Sequence, residues 1–358
     1  MSGFAPNADD RTTRGPSAGV VPSRPGSSSG DRPTDPPAEG PTISQRASVD
    51  SPCCFRPIRN GGVRVVWELI SKCNLDCLHC FVPHTDYGPD TATALRVIAE
   101  FPRLPVRKLM FTGGEPFLRK DLLDLVEAAL AQGALVDITT NLSLVDDRVI
   151  ARLARLAPFE ITTSLDGPPE VHDRIRQAPG NFTHVTTTMR KLREAGIDVD
   201  VVCVAQAGNA AHLGEVADIA AGLGVSSLNI SGFNHQKAAQ ARLRECTPSA
   251  AQEAEIARQV IAARQRHGER MAIRTVGLLD RFDGPAPCPI DDMIAINARG
   301  KVSNCLLAPV PEDELLDLAD GLQAAWQVLS RRWCCSQGGW QRIDLGRRPV
   351  HAGQRAAQ

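Results

Sequence analysis

The alternation of short β-branched runs with amphipathic segments after Gly62 is the feature that most limits how this chain can fold. Six strand candidates stand out: GVRVVWELI, VRKLMFTG, ALVDITTN, FEITTSLDG, DVDVVCVAQ and SSLNISGF. Helix candidates lie between them, such as KDLLDLVEAALAQG, which ends at Gly133, and NAAHLGEVADIAAGLG, for which Asn209 is the expected N-cap. Repeated βα units of this kind build a parallel sheet.

Six units are too few to close an eight-stranded barrel, so we predict an α/β fold with an open, partial (βα)6 barrel over residues 60–235. Residues 1–55 are rich in Pro, Gly and Ser and are predicted to be a disordered leader. Residues 236–285 are predicted to be a helical linker, whose main helix opens at Thr247. A small α+β extension over 286–346 and an unstructured tail over 347–358 complete the predicted organisation.

Composition excludes several classes of function. The formal net charge is −1 and aromatic residues make up 4% of the chain, which is not typical of a nucleic-acid-binding surface. The sequence shows neither an apolar run long enough to cross a bilayer nor a secretory signal, so we expect a cytoplasmic protein without a membrane partner. Thiols stay reduced in the cytosol, so the 11 cysteines are expected to be ligands or core residues.

Polar residues gather where the predicted strands end. In parallel βα folds the loops at the carboxyl ends of the strands converge, and chemistry gathers there. Randomly scattered polar residues would not all fall at strand ends, so this edge is the predicted site. Its members follow the first four strands: Cys73, Cys77 and Cys80; Gly113, Gly114 and Glu115; Asn141; and Ser164 and Asp166.

The triplet in CNLDCLHC offers three thiolates on one loop. A structural zinc site uses four ligands, usually in two paired motifs, and the second pair is missing even if His79 is considered as a fourth ligand. Packing in the core is a further alternative. A four-iron cluster held by three cysteines would instead leave one iron open to a substrate or cofactor, and this is the interpretation that we favour.

These motifs carry a family resemblance. CNLDCLHC resembles the CxxxCxxC signature of the radical S-adenosylmethionine (radical SAM) enzymes, and FTGGEPFLRKDL, TTNLSL and SLDGPPEVHDRIR resemble further motifs of that superfamily. The likeness covers roughly residues 62–235. It implies a [4Fe–4S] cluster on Cys73, Cys77 and Cys80, with S-adenosylmethionine (SAM) bound at the open iron.

The resemblance also implies which groups bind SAM. The amino group is assigned to Glu115 and the backbone at Gly113 and Gly114, and the carboxylate to Arg176. The ribose is assigned to Ser164, Asp166 and Asn141, and the adenine to the neighbourhood of His79.

The chemistry implied is reductive cleavage of SAM to a 5′-deoxyadenosyl radical, which takes a hydrogen atom from a small molecule (a natural product, sugar or nucleotide) or a ribosomal peptide. A flavodoxin or ferredoxin is the expected reductant. The alternative is a scaffold or sensor that binds iron–sulfur or zinc without catalysis. The intact Glu115, Asp166 and Arg176 argue against it, because a scaffold needs no groups that bind the cofactor.

The C-terminal region resembles the SPASM and twitch extensions, in which cysteines flank a hairpin and bind an auxiliary cluster. The hairpin is expected in MIAINARGKVSNC, with its turn at residues 298–300. Auxiliary ligands are expected among Cys288, Cys305, Cys334 and Cys335, with a zinc site or a cluster-free extension as alternatives. Asn234 and His235 follow the sixth strand and are the candidate substrate contacts.

Overall fold

In the computed structural model, the residues described are 62–156, 159–233, 241–276, 293–304, 306, 315–329, 332–335 and 339–342. The predicted leader (1–55) and tail (347–358) lie outside them, so those two predictions stand as made. Within these ranges the chain forms a mixed α/β fold built on a ten-stranded sheet.

Seven consecutive strands, β1 to β7, lie side by side in chain order and pair in parallel. Among the described residues β7 and β10 form the two edges, so the sheet is open, which confirms the predicted partial barrel. The strands of this sheet are β1 Val63–Ile70, β2 Val106–Gly113, β3 Leu135–Thr140, β4 Glu160–Ser164, β5 Asp198–Ala205, β6 Ser227–Gly232, β7 Ala272–Val276, β8 Met293–Ile296, β9 Lys301–Ser303 and β10 Leu316–Asp317.

Helices connect the strands and cover one face of the sheet. Most of their buried side chains form one large apolar core with the strand residues on that face, such as Val65, Trp67 and Leu69 of β1. A second, small cluster includes Leu243. The helices are α1 Thr91–Ala99, α2 Leu122–Ala131, α3 Asp147–Leu156, α4 Pro169–Arg176, α5 Asn181–Glu194, α6 Leu213–Gly222, α7 Ala241–Glu245, α8 Ala250–His267 and α9 Leu322–Leu329. Among the helices of these ranges, none combines the length and apolar character that crossing a bilayer requires.

The segment after β6 differs from the predicted helical linker over 236–285. It contains α7 and α8, but also β7, which pairs in parallel with β6 and adds a seventh strand to the barrel. Helix α8 begins at Ala250, three residues after Thr247, because Ser249 and Gln252 form a capping box there.

The hairpin of the extension is formed by β8 and β9, which pair antiparallel across the tight turn at residues 297–300. It is continuous with the barrel, because β8 also pairs in parallel with β1 from Arg64 to Trp67. A second, two-stranded sheet is formed by β11 Arg332–Cys335 and β12 Gly339–Arg342. Strand β1 therefore has a neighbour on each side and occupies the middle of the main sheet.

Candidate functional site

The cysteine triplet lies on the loop between β1 and α1, and hydrogen bonds fix the base of that loop. The Ser71 amide donates to the Tyr87 carbonyl at 2.9 Å, and the Tyr87 amide donates to Ser71 Oγ at 3.0 Å. The Leu78 amide donates to the Ile175 carbonyl at 2.9 Å, which joins the triplet to the end of α4. These bonds hold the three cysteines over the carboxyl end of β1.

All three cysteines of the triplet are free thiols; Cys77 is buried, and Cys73 and Cys80 are partly exposed. Burial raises the pKa of Cys73 and of Cys80. In a four-iron cluster each cysteine binds a different iron, so three thiols on one loop fit such a cluster with one iron left open.

Gly113 and Gly114 pack against the backbone that leads into the triplet. A Cβ atom at Gly113 would lie 2.1 Å from the Ile70 carbonyl oxygen, and one at Gly114 would lie 2.0 Å from that of Lys72. Gly113 also has a φ of +123°, which favours glycine. Glycine is required at both positions because the end of β2 lies too close to the backbone after β1 to leave room for a side chain. The sequence alone did not reveal this reason.

Glu115 is fully buried, and its carboxylate accepts hydrogen bonds from the chain itself. Thr140 Oγ1 and the Phe117 amide donate to Oε1 at 2.8 and 3.0 Å, and the Asn141 amide donates to Oε2 at 2.8 Å. Glu115 therefore joins the end of β2 to the end of β3. Its predicted contact with the amino group of SAM stands as made.

Asp166 and Arg176, expected to contact different parts of SAM, contact each other. Arg176 Nη2 lies 2.6 Å from Asp166 Oδ2, and both side chains are at least nine-tenths buried. Burial alone would raise the pKa of Asp166, but Arg176 brings it below its usual value. Asp166 is 0% exposed, and its predicted contact with the ribose stands as made.

Arg176 and Asn141 also reach the cysteine sulfur atoms. Arg176 Nη1 lies 3.6 Å from Cys77 Sγ, and Asn141 Nδ2 lies 3.7 Å from Cys73 Sγ. The contacts come from the end of α4 and the end of β3, far from the triplet in sequence. These two contacts bring the segment after β3 and the end of α4 against the triplet.

Gln206 and Asn209 also contact residues of the site, and the sequence analysis assigned neither of them to it. Gln206 is buried, and its amide nitrogen lies 3.0 Å from His79 Nδ1. Burial lowers the pKa of His79 to about 4, so the imidazole is neutral at physiological pH. Asn209 is not the N-cap of α6, which begins at Leu213; its Nδ2 donates to the Asp166 and Val204 carbonyls at 3.0 and 2.9 Å. Both residues follow β5. The other residues of the site were identified because they too follow strands, so the same reasoning could have found these two.

The remaining predicted members divide into two groups. Ser164 ends β4 and is partly exposed, so it stays available to a ligand. The others lie outside the described residues, or have only their backbone described, and their predicted roles stand as made: Asn234, His235, Cys288 and Cys305, and the side chains of Cys334 and Cys335 in β11.

A cavity of about 240 Å³ lies between the triplet loop and the hairpin of the extension. Tyr87 and Arg299 both line it, and the Arg299 guanidinium stacks 4.8 Å from the centre of the Tyr87 ring. The other polar side chains that line it are Glu68, Ser71, Thr85, Asn297, Lys301 and Ser303. The cavity therefore lies beside the cysteine loop and is lined by polar side chains and by the aromatic rings of Phe81 and Tyr87.

Comparison with known proteins gives consistent matches. The family profile described as the radical SAM superfamily matches residues 67–231. The AdoMet-dependent heme synthase of Oleidesulfovibrio alaskensis is 28% identical over 171 residues, which cover 46% of this chain and 44% of that protein. The mycofactocin maturase MftC of Mycobacterium ulcerans is 30% identical over 223 residues, covering 61% and 57%. The chain thus spans about half the length of the curated relatives it matches.

Solved structures share the fold. Streptococcus suis SuiB bound to S-adenosylmethionine superposes with a TM-score of 0.64 at 15% identity, covering 75% of this chain and 67% of that one. SuiB bound to precursor peptide SuiA gives 0.62 at 14% identity, covering 74% and 64%. Native anSMEcpe with bound AdoMet and the Cp18Cys peptide gives 0.58 at 17% identity, covering 74% and 80%.

Proposed function

Residues 67–231 place this chain in the radical SAM superfamily, whose members are enzymes that use a [4Fe–4S] cluster and SAM, and from this premise we propose what its own residues do. Cys73, Cys77 and Cys80 bind the cluster and leave one iron open to SAM. The protein then takes a hydrogen atom from an organic substrate. The observation that carries this proposal is that two of the three free thiols are approached by polar side chains distant in sequence, Asn141 after β3 and Arg176 at the end of α4.

The proposed SAM contacts are the ones that the motifs imply. The carbonyl groups at Gly113 and Gly114 and the carboxylate of Glu115 bind the amino group. The Nε of Arg176, which is buried and has no hydrogen-bond partner among the described residues, binds the SAM carboxylate. Ser164, Asn141 and Asp166 bind the ribose, and His79 lies beside the adenine.

When bound, the cluster and SAM together supply one-electron cleavage of a carbon–sulfur bond and a primary carbon radical that abstracts hydrogen. The chain's own share is orientation and exclusion of water. The buried Asp166–Arg176 pair and the amide of Gln206 fix the groups around the loop before any ligand arrives. A preorganised, largely dry site limits side reactions of a carbon radical.

The finer assignments are also proposals. The fold holds a peptide in two of the solved structures above, so a peptide is the first substrate class to test, and a small natural product, sugar or nucleotide is the second. A flavodoxin or ferredoxin in the cytoplasm supplies the electron. An auxiliary cluster on Cys288, Cys305 and one or both of Cys334 and Cys335 remains the proposal for the extension.

Anaerobic reconstitution with iron and sulfide, followed by an assay for 5′-deoxyadenosine under reducing conditions, tests the function. We expect product from the native chain and none from the C73A/C77A/C80A variant, which also loses the absorbance of the cluster. C203A removes a buried thiol outside the triplet and serves as the matched control that keeps both. About four irons per chain would indicate one cluster and about eight would indicate two.

The same assay separates the enzyme from the non-catalytic alternative. A scaffold would bind the cluster and give no 5′-deoxyadenosine with SAM and reductant present. A single tetrahedral metal ion on the triplet would contradict the proposal altogether.

A further inference from the structure

Two polar side chains approach the triplet sulfur atoms, and they differ in charge. Asn141, at the end of β3, brings a neutral amide to 3.7 Å from Cys73 Sγ. Arg176, at the end of α4, brings a cationic guanidinium to 3.6 Å from Cys77 Sγ. Both contacts fall within the range of hydrogen bonds to sulfur, which are longer than those to oxygen. Cys73 and Cys77 therefore lie in different electrostatic environments.

The guanidinium of Arg176 is held in place. Its Nη2 lies 2.6 Å from Asp166 Oδ2, and Arg176 itself is only 7% exposed. Asp166 is fixed in turn, because its carbonyl oxygen accepts a hydrogen bond from Asn209 at 3.0 Å. An arginine guanidinium does not lose its proton in proteins, so the group stays charged. The ion pair thus directs its positive end toward Cys77.

Position and charge together indicate a role in electron transfer to the cluster. Hydrogen bonds to cluster sulfur and nearby positive charge both stabilise the reduced cluster, which carries one more negative charge. A desolvated guanidinium acts more strongly than one in water, because little solvent screens it. A neutral amide acts through its N–H dipole alone and should have a smaller effect.

We propose that Arg176, oriented by Asp166, donates a hydrogen bond to the Cys77 sulfur of the bound cluster and raises the reduction potential of that cluster. This inference rests on the proposed function, because it assumes a cluster on the triplet. It makes Arg176 a positioning residue for electron entry, in addition to the contact proposed between its Nε and the SAM carboxylate. Asn141 has the same effect on Cys73 to a smaller extent.

The test is a potentiometric titration of the reconstituted cluster without SAM or substrate, followed by electron paramagnetic resonance. We expect R176M to shift the midpoint potential to a more negative value with iron and sulfide per chain unchanged. R176K keeps the positive charge but lacks the planar guanidinium, so its midpoint potential should lie between those of R176M and the native chain. N141A should shift the midpoint potential in the same direction as R176M, but by less.

Arg174 provides the matched control, because it lies on the same helix and donates to the Gly208 carbonyl at the surface. R174M should leave the midpoint potential unchanged. If R176M does not take up iron, R176Q supplies the comparison with R176K, since glutamine lacks the charge and keeps a polar side chain. Equal midpoint potentials in the native chain and in every Arg176 variant that holds the cluster would overturn the inference and leave the proposed function intact. No cluster in the native chain would instead overturn the proposed function.

Discussion

Asn209 shows how one buried amide can fix two strand ends at the site. It is 0% exposed, donates to the carbonyls of Asp166 and Val204, and accepts a hydrogen bond from the Gln206 amide at 2.8 Å. These bonds connect the loop after β4 with the end of β5. They also fix Gln206, whose side chain contacts His79.

Replacing Asn209 with alanine should lower the free energy of unfolding by about 2–3 kcal/mol, because three buried backbone groups lose their partner. Urea unfolding followed by circular dichroism measures the change. Q132A, which removes an exposed amide at the end of α2, should change the free energy of unfolding by less than about 0.5 kcal/mol. Coincident curves for N209A and the native chain would show that Asn209 is dispensable for folding.

At this scale the sequence indicated the residues that follow the first four strands, but it missed the roles of Gln206 and Asn209 and did not indicate what each residue contacts. Cys73, Glu115, Asn141 and Asp166 were all identified from their position after strands. The partners of Glu115 and Asp166 depend on contacts between distant segments, which no local pattern contains. Asn209 was interpreted as an N-cap because it precedes an apolar run, whereas its side chain satisfies carbonyls at two strand ends instead.

Among the elements, the starts of helices α1 and α2 are joined by a hydrogen bond to Asp121, a carboxylate that also pairs with Arg119. Arg119 donates to both carboxylate oxygens of Asp121 at 3.0 and 2.6 Å, and Thr91 Oγ1, at the start of α1, donates to the same carboxylate at 2.7 Å. Burial alone would raise the pKa of Asp121, but these bonds lower it below its usual value of 3.8. The folded state therefore favours the ionised form of Asp121.

D121N should lower the free energy of unfolding by about 1–2 kcal/mol near neutral pH, because it removes the bidentate ion pair with Arg119. A depressed pKa contributes stability above the unfolded value, and this contribution is lost as the pH falls through the folded value. The difference between D121N and the native chain should therefore be constant above about pH 5 and shrink below about pH 4. Urea unfolding at several pH values measures it.

D124N is the control for this pair. Asp124 pairs with Arg152 at the surface, where the two side chains are 61% and 42% exposed, so its loss should cost less than about 0.5 kcal/mol. A difference between D121N and the native chain that did not change with pH would rule out a role for the ionised carboxylate.

Strand prediction succeeded where the apolar pattern is strong. The first six strands lie within the six predicted runs, because each consists largely of buried residues that form a short apolar run. Strand β7 was missed because its five residues, AIRTV, include an arginine and follow a long helix. The pairing of β8 with β1 could not be predicted, since nothing local specifies which distant strand a hairpin will join.

For the molecule as a whole, the extension is part of the barrel sheet. Met293–Ile296 pairs with Arg64–Trp67, and both Ile294 and Ile296 are fully buried in the common core. The predicted boundary between barrel and extension near residue 286 therefore separates stretches of sequence that share one sheet and one core.

A truncated chain ending at residue 285 should lose stability and aggregate, because removing β8 exposes the edge of β1 and the apolar residues beneath it. Size-exclusion chromatography and thermal unfolding measure this outcome. We expect a lower unfolding temperature and a loss of monomeric protein. A monodisperse truncated chain with the unfolding temperature of the full chain would show that the barrel folds without the hairpin.

The central position of β1 also bears on how such proteins can be re-engineered. The strand that leads into the cysteine loop is clamped on one flank by β2 and on the other by β8. Exchanging the C-terminal portion for that of a relative would therefore replace one of the two strands that support the cysteine loop. In a chimera, the strand that replaces β8 must pair with Arg64–Trp67 in the same register. The barrel and the C-terminal portion therefore cannot be exchanged independently of each other.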